Sequence, residues 1–324
     1  MKAVKSTKYG APEVLKIVEI DKPEPKDNEV LVKNYATTVT VADSRVRGFI
    51  VPLSYWIIAR IALGLFKPRQ KILGGELSGV IERVGKNVTK FKVGDKIFAF
   101  LDHKLGAYSE YVCIKEDERI LKKPENLNFK ESAALSFGGT TALHFLKKAE
   151  IKPGEKILIY GASGSVGTYA VQLAKYFGTE VTGVCSSKNL ELVKSIGAVR
   201  VVDYTNNDFE KLNEKFDVVF DTVGKANISK MISILKPKGR YIHCVTTPYT
   251  KLKIQLSLLK TNIKLIGDSF SSTVEQINFI NELAKEGFLK PVIDKEFNFN
   301  EIVQAHHYVD QGHKIGNVVI SIID

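Results

Sequence analysis

Cysteine is scarce in this 324-residue sequence, histidine is little commoner, and no apolar stretch runs unbroken for the length of a membrane span. The three cysteines, Cys113, Cys185 and Cys244, are odd in number, far apart and without a partner at two-residue spacing. A disulfide framework and a structural zinc lobe are thereby excluded. Each cysteine stands in an apolar, strand-like run, as in Tyr111-Val112-Cys113-Ile114, and reads as a small buried hydrophobe. The six histidines supply no zinc site either, since His103, His144 and His243 are isolated and His306, His307 and His313 fall in the last stretch. No metal is expected. The first residues, Met1-Lys2-Ala3-Val4-Lys5, run straight into alternating sequence without an apolar leader, so a cytoplasmic location is expected. The net charge is +11, yet Lys and Arg are spread along the chain without a continuous run. A solvated surface explains that better than a nucleic-acid face.

What is present is the composition of a globular protein, 44% hydrophobic and 26% charged, with enough length for two domains of roughly 100 to 200 residues. Up to about residue 124 the sequence reads as short strands between turn signals, such as Val30-Leu31-Val32 after Pro23-Glu24-Pro25-Lys26-Asp27-Asn28, which argues for a barrel-like β domain. From about residue 150 strands and helices alternate. Strands are expected at 156–160, 180–185, 199–202, 216–220, 240–245 and 263–266, with helices at 166–177 and 190–196. That rhythm means a parallel sheet with helices on both faces. Amphipathic helices follow at 274–286 and 300–310, and a last strand at 316–322 is expected to return to the first domain.

The segment Gly161-Ala162-Ser163-Gly164-Ser165-Val166-Gly167 leaves a strand and opens a helix, the context in which such glycines form a dinucleotide-binding turn. Glycine lets the backbone turn tightly and approach a pyrophosphate, and the helix N-terminus supplies N–H groups and partial positive charge. The end of the next strand selects the cofactor. An NAD site keeps an acidic residue there, roughly 20 residues past the turn, for the ribose 2′-hydroxyl. This chain has Cys185-Ser186-Ser187-Lys188 instead. Small hydroxyls and a cation suit a 2′-phosphate, so NADPH is the expected cofactor. The competing reading, in which Ser187 or Asn189 caps the next helix and Lys188 faces water, leaves the missing carboxylate unexplained.

Several blocks then carry a family resemblance: Met1-Lys2-Ala3 with Tyr9-Gly10, Gly74-Gly75-Glu76-Leu77-Ser78-Gly79-Val80, Val93-Gly94-Asp95-Lys96-Ile97-Phe98, Gly106-Ala107-Tyr108-Ser109-Glu110-Tyr111-Val112 and Gly139-Thr140-Thr141-Ala142. The glycine turn and Gly197-Ala198 with Val202-Asp203-Tyr204 complete the set. In this order, over the whole length, the chain resembles the zinc-independent quinone oxidoreductase (zeta-crystallin-like) branch of the medium-chain dehydrogenase/reductases. The resemblance implies an α/β fold, with a GroES-like β-barrel substrate domain (1–124 and 271–324), a Rossmann doubly wound parallel sheet domain (125–270) and an active site in the cleft between them. It implies that Ser186, Lys188 and Tyr204 hold the 2′-phosphoadenosine end, beside Ser187. It places Ala162, Ser163, Gly164, Ser165 and Val166 on the pyrophosphate, next to Gly161, and Thr141, Val223, Val245 and Phe270 along the nicotinamide half. A homodimer through the last Rossmann strand, near residues 265–270, is also implied. Where wider relatives bind catalytic zinc, this chain reads Thr38-Val39-Thr40 and Gly75-Glu76.

Without a metal, the expected chemistry is hydride delivery to a conjugated quinone, enone or enal, because addition at the β-carbon leaves an enolate that hydrogen-bond donors stabilise. Thr40, where relatives carry an asparagine, and Tyr55 are the candidate catalytic residues; a tyrosine in so apolar a stretch also serves as packing. That stretch, residues 49–66, approaches spanning length but is interrupted by Pro52 and Arg60. An apolar lid, a dimer contact and a peripheral membrane patch remain open for it. The alternative to an enzyme is an NADPH-binding module with a mainly non-catalytic membrane-surface or RNA-binding role, the nucleic-acid half of which the dispersed charge disfavours.

Overall fold

The alternating first third of the chain forms strands β1 (Lys2–Ser6), β2 (Leu15–Glu19), β3 (Glu29–Val39), β4 (Glu76–Val84), β5 (Lys96–Phe100), β6 (Tyr111–Lys115) and β7 (Ile120–Lys122). Between β3 and β4 lie α1 (Val41–Gly48) and α2 (Trp56–Leu63), and after β7 comes the short α3 (Phe129–Ala133). The computed structural model describes residues 1–267, 270 and 272–323. Contacts divide it into two units, one of Met1–Phe137, Thr273–Lys285 and Pro291–Asp324, the other of Gly138–Ser272 and Glu286–Lys290.

In the second unit helix α4 (Ser136–Lys148), which starts two residues before it, leads into β8 (Lys156–Tyr160), α5 (Ser165–Tyr176), β9 (Glu180–Cys185), α6 (Leu190–Ser195), β10 (Arg200–Asp203), α7 (Asp208–Lys211), β11 (Phe216–Asp221), α8 (Ile228–Ser233), β12 (Leu235–His243), α9 (Pro248–Leu258) and β13 (Lys264–Ile266). The six strands pair in the order β10-β9-β8-β11-β12-β13, all parallel. Strands covered on both faces need continuous apolar runs, and Ile157, Leu158, Ile159, Val218, Val219 and Phe220 are fully buried. The order reverses between β8 and β11, and crevices at the carboxyl ends of such a reversal are where this fold binds ligands. β12 starts five residues before the strand expected at 240. It carries a bulge opposite β11, where Lys238 has a φ of 63°. The Lys236-Pro237-Lys238-Gly239 sequence reads as a turn because proline and a left-handed residue fit a sheet only at such a break.

The chain then adds α10 (Val274–Lys285), β14 (Ile293–Asn298), α11 (Ile302–Asp310) and β15 (Asn317–Ser321) to the first unit. Its main sheet runs β14-β15-β3-β4-β5-β7, with β6 on the first half of β3 and β15 antiparallel to the second half. Val30, Val32, Leu77, Ile81 and Ile97 form one core against the sheet, and Val4, Leu15, Tyr108, Val318 and Ile320 another beneath α11. Of the expected dimer segment at 265–270, Asp268 and Ser269 lie outside the described residues, as does Ser271 at the expected domain boundary.

Candidate functional site

In the second unit the turn after β8 is fastened from three sides. Gly161 and Ala162 both donate their N–H to the Val184 carbonyl of β9 at 3.0 Å, and Gly164 N–H closes the turn on Gly161 O at 3.0 Å. Gly161 has a φ of +79°, and a Cβ there would stand 2.3 Å from Val223 Cγ2, so the residues leaving β11 press directly on the turn. At Gly167 a Cβ would fall 2.1 Å from the Gly161 carbonyl, so the first turn of α5 can sit this close only without a side chain. Gly164 differs: it is the N-cap of α5, in extended backbone, and its Cβ position meets only Gly161 O at 3.4 Å. Having no side chain, it adds no cap of its own to the N-terminus of α5.

The loop after β9 is tied to this turn. The buried Asn189 donates from Nδ2 to Ser163 Oγ at 3.0 Å and Ser186 Oγ at 3.2 Å, joining turn and loop through one side chain. Ser187 does not cap a helix but donates to Asp203 at the end of β10. The same carboxylate accepts Thr205 N–H at 2.8 Å, Thr205 Oγ1–H at 2.6 Å and Asn206 Nδ2–H at 3.0 Å. The hydrogen bonds from Ser187 and Thr205 hold Asp203 below the usual carboxylate range. Lys188 is exposed and makes no ion pair among the described residues, and Tyr204 is half exposed with its ring 6.1 Å from that of Tyr160. Asn189 and Asp203 escape a reading of the sequence for the site because the bonds that tie them to it, Asn189 to Ser163 and Ser187 to Asp203, span 26 and 16 positions.

Beyond the turn, Val223 and Gly224 N–H groups both bond Asp221 Oδ1, at 2.9 and 2.7 Å, and a Cβ on Gly224 would come within 2.9 Å of Val245. Gly224 thus lies against Val245, just past the ends of β11 and β12. Thr141 and His144 share a face of α4, being three residues apart, and the Phe270 ring packs 5.2 Å from His144. His243, isolated in the sequence, lies 4.0 Å from the fully buried Asp221, and burial lowers its basicity.

The first unit holds a separate buried polar cluster. Thr38 and Glu76 are neighbours across the β3–β4 ladder; Thr38 donates to Glu76 Oε2 at 2.6 Å and Phe137 N–H to Oε1 at 2.6 Å. Burial, reinforced by the Asp43 charge, pushes Glu76 up to about 7. Desolvation brings nearby Lys314 down to about 8 against the opposing pull of Asp294 and Glu76. Thr40 is the N-cap of α1: its hydroxyl donates to Asp43 Oδ2 at 2.6 Å and accepts Asp43 N–H at 3.2 Å, a reciprocal cap worth about 1 kcal/mol. Its proton is therefore committed to Asp43, which makes it a positioning residue rather than a free donor. Beside it the buried Arg47 donates to His306 Nδ1 at 3.0 Å and pairs with Asp310 at 2.6 Å. Tyr55 ends a single 3₁₀ turn (Leu53–Tyr55) and is 41% exposed.

Residues 26–125 match the alcohol dehydrogenase GroES-like domain, and residues 196–320 match the zinc-binding dehydrogenase domain. The chain is 33% identical over 339 residues to 2-methylene-furan-3-one reductase of Solanum lycopersicum, covering 99% of this chain and 79% of that protein. It is 31% identical over 325 residues to quinone oxidoreductase of Homo sapiens, covering 96% and 94%. The crystal structure of Escherichia coli quinone oxidoreductase complexed with NADPH superposes with a TM-score of 0.82 at 25% identity, over 99% of this chain and 100% of that one. The zinc in one of these descriptions does not fit the residues present. Where its ligands would stand are Thr38, Thr40 and Glu76, both Glu76 oxygens are engaged, and among the described residues no three His, Cys, Asp or Glu side chains gather. Hydroxyls and one carboxylate are not a zinc donor set.

Proposed function

The chain belongs to the zinc-independent quinone oxidoreductase branch of the medium-chain dehydrogenase/reductases, and from that membership we propose that it uses NADPH in preference to NADH to reduce quinones or the C=C bond of α,β-unsaturated carbonyls. The observation that carries the cofactor preference is the state of Asp203. It is the carboxylate that Ser187 of the loop after β9 contacts, and its oxygens are already occupied by Ser187, Thr205 and Asn206. A ribose 2′-hydroxyl finds no free acceptor there, whereas the exposed Lys188 and the Ser186 hydroxyl suit a 2′-phosphate.

In this reading Gly164 and the N-terminus of α5 receive the pyrophosphate, Tyr204 flanks the adenosine end, and Thr141, Val223, Val245 and Phe270 form the wall along the nicotinamide half. The reduced nicotinamide, when bound, supplies hydride. The chain's own task is to hold the acceptor carbon in line, exclude water and offer hydrogen bonds where negative charge develops. A conjugated carbonyl or quinone meets that need because its charge spreads onto an oxygen; an isolated ketone without a Lewis acid gains far less. Tyr55 is the candidate donor, and Thr40, bound to Asp43, fixes the start of α1.

The test is steady-state oxidation of NADPH and NADH over a panel of quinones, enones and simple ketones, with a chelator present. Turnover of conjugated acceptors only is expected. Lys188→Ala should raise the KM for NADPH by about tenfold or more, the worth of one charged hydrogen bond, while leaving that for NADH nearly unchanged. Equal losses for both cofactors would sink the 2′-phosphate assignment. We also propose a homodimer through β13, which lies at the edge of its sheet. Light scattering should return twice the chain mass, and a monomer at micromolar concentration would refute it.

A further inference from the structure

We propose that residues 50–66 dock this protein on an anionic lipid surface. The observation is that α2 is inside out. A helix on a protein surface normally turns its apolar face to the core and its charges to water. In α2 the one charged residue, Arg60, faces inward: its guanidinium carbon lies 3.8 Å from the ring centroid of Phe49, 4.9 Å from that of Trp56 and 5.3 Å from that of Tyr9. Arg60 Nη1 donates to Leu65 O at 2.8 Å and Tyr9 Oη to Gly64 O at 3.0 Å, so the inverted helix is fastened at its end as well. Meanwhile Ile57, Ile58 and Ile61 are 58–71% exposed, and Leu53 and Phe66 each 89%. Trp56, Ile57, Arg60, Ile61, Leu65 and Phe66 line a groove of about 440 Å³ open to the outside, apolar but for the stacked guanidinium of Arg60. The apolar face points outward because the stacking holds it there.

Charge identifies the occupant. From Ser44 to Gly75 there is no Asp or Glu, whereas Arg45, Lys67, Arg69 and Lys71 are exposed. None of these four makes an ion pair among the described residues. Isoleucines for the acyl layer, a tryptophan at its border and unneutralised cations at the headgroup level are what binding in the plane of an anionic membrane requires. A second copy of this chain fits worse, since a twofold contact would bring the same cations against each other. The segment does not span: no single described helix is long enough, the bent pair formed with α1 turns by 68°, and Asp43 and Arg47 of α1 are buried in the body. Docking here does not depend on the catalytic reading, although it would bring the protein to the phase in which apolar quinones and lipid-derived enones dissolve.

Trp56 is the only tryptophan of the chain, so its emission reports this segment alone. Titrating the full-length protein with vesicles of equal parts phosphatidylcholine and phosphatidylserine should shift that emission to the blue and carry the protein upward in flotation. Pure phosphatidylcholine should bind about tenfold more weakly or worse, and added salt should release the protein. Ile57→Glu with Ile61→Glu changes only outward side chains, so circular dichroism and melting should stay as they were while flotation is lost. Lys67→Glu with Arg69→Glu should weaken vesicle binding by on the order of tenfold. Emission that vesicles leave unmoved overturns the proposal, as does a double isoleucine variant that floats like the parent. A concentration-dependent doubling of mass that Ile57→Glu abolishes, with no vesicle binding, would assign the face to a second copy and overturn it equally.

Discussion

Gly164→Asp should abolish dinucleotide binding and leave the protein as stable as before, or slightly more so. Gly164 sits in extended backbone open to any residue, and a side chain there meets nothing closer than the Gly161 carbonyl at 3.4 Å. Aspartate is a better N-cap than glycine by a few tenths of a kcal/mol, and its charge favours the helix N-terminus by about 0.3–1 kcal/mol. The same carboxylate would stand where a pyrophosphate must go, with like charge. A loss of at least ~100-fold in affinity, about 2.7 kcal/mol, is expected. Binding read by reduced-nicotinamide fluorescence and melting read by circular dichroism should thus move in opposite directions or not together. Retained affinity would show that the dinucleotide does not use this turn; a lower melting temperature would show that the glycine is there for the fold. Gly167 cannot make this distinction, because its Cβ would strike backbone at 2.1 Å whether or not a ligand is bound.

His306 should make the protein less stable as pH falls below neutrality, against the opposing gain from Glu76, which burial raises to about 7 and which folding therefore helps to protonate. His306 Nδ1 accepts from Arg47, so the ring must be neutral and carry its proton on Nε2, which has no hydrogen-bond partner among the described residues. Burial, with the Arg47 charge beside it, lowers His306 from 6.5 to about 3. A histidine depressed in this way binds more protons unfolded than folded between those two values, so stability rises with pH across the window and falls as pH drops below 6.5. Between pH 6.5 and about 4.5 the loss from this one group is about 2 kcal/mol, and on the order of 5 kcal/mol once pH falls below 3. Urea midpoints of the parent and of His306→Gln, compared over the upper part of that window, should draw apart as pH falls, the Glu76 contribution being common to both. An identical slope in the variant would place the acid sensitivity elsewhere.

The parts of this structure legible in the sequence are those decided over short chain distances. Lys156–Tyr160, the glycine turn and α5 lie within about twenty positions, and each is dictated by apolar runs or by backbone that tolerates no Cβ. β14 escapes such reading because Ile-Asp-Lys-Glu-Phe-Asn is a charged strand at the end of its sheet, with only one face and one neighbour to satisfy. The loop after β9 is half legible: its lack of a carboxylate is plain, but that Ser187 reaches across to Asp203, and Asn189 to Ser163, follows only from the pairing of β9 with β10 on one side and β8 on the other. Thr40 shows the opposite fault. Thr40-Val41-Ala42-Asp43 has the spacing of a reciprocal helix cap, and that local signal outweighs the positional comparison that marks Thr40 as a substrate-side donor. Arg60 reads as an interruption of an apolar stretch, yet three rings from positions 9, 49 and 56 converge on it and turn the stretch outward.

The strand order of the first sheet also governs how the chain matures. β15 closes the second half of β3, residues 36–39, but is synthesised roughly 280 residues later. At a translation rate of ~5–20 residues per second that edge stays open for on the order of tens of seconds. The unit whose strands emerge first is therefore the last to be completed, while the parallel sheet of the second unit has all its strands in one continuous stretch and can close during synthesis. Contacts this distant make folding slow and leave a nascent edge exposed to wrong pairing. Chaperone dependence and ribosome-bound aggregation should accordingly trace to β3, not to the nucleotide-type sheet.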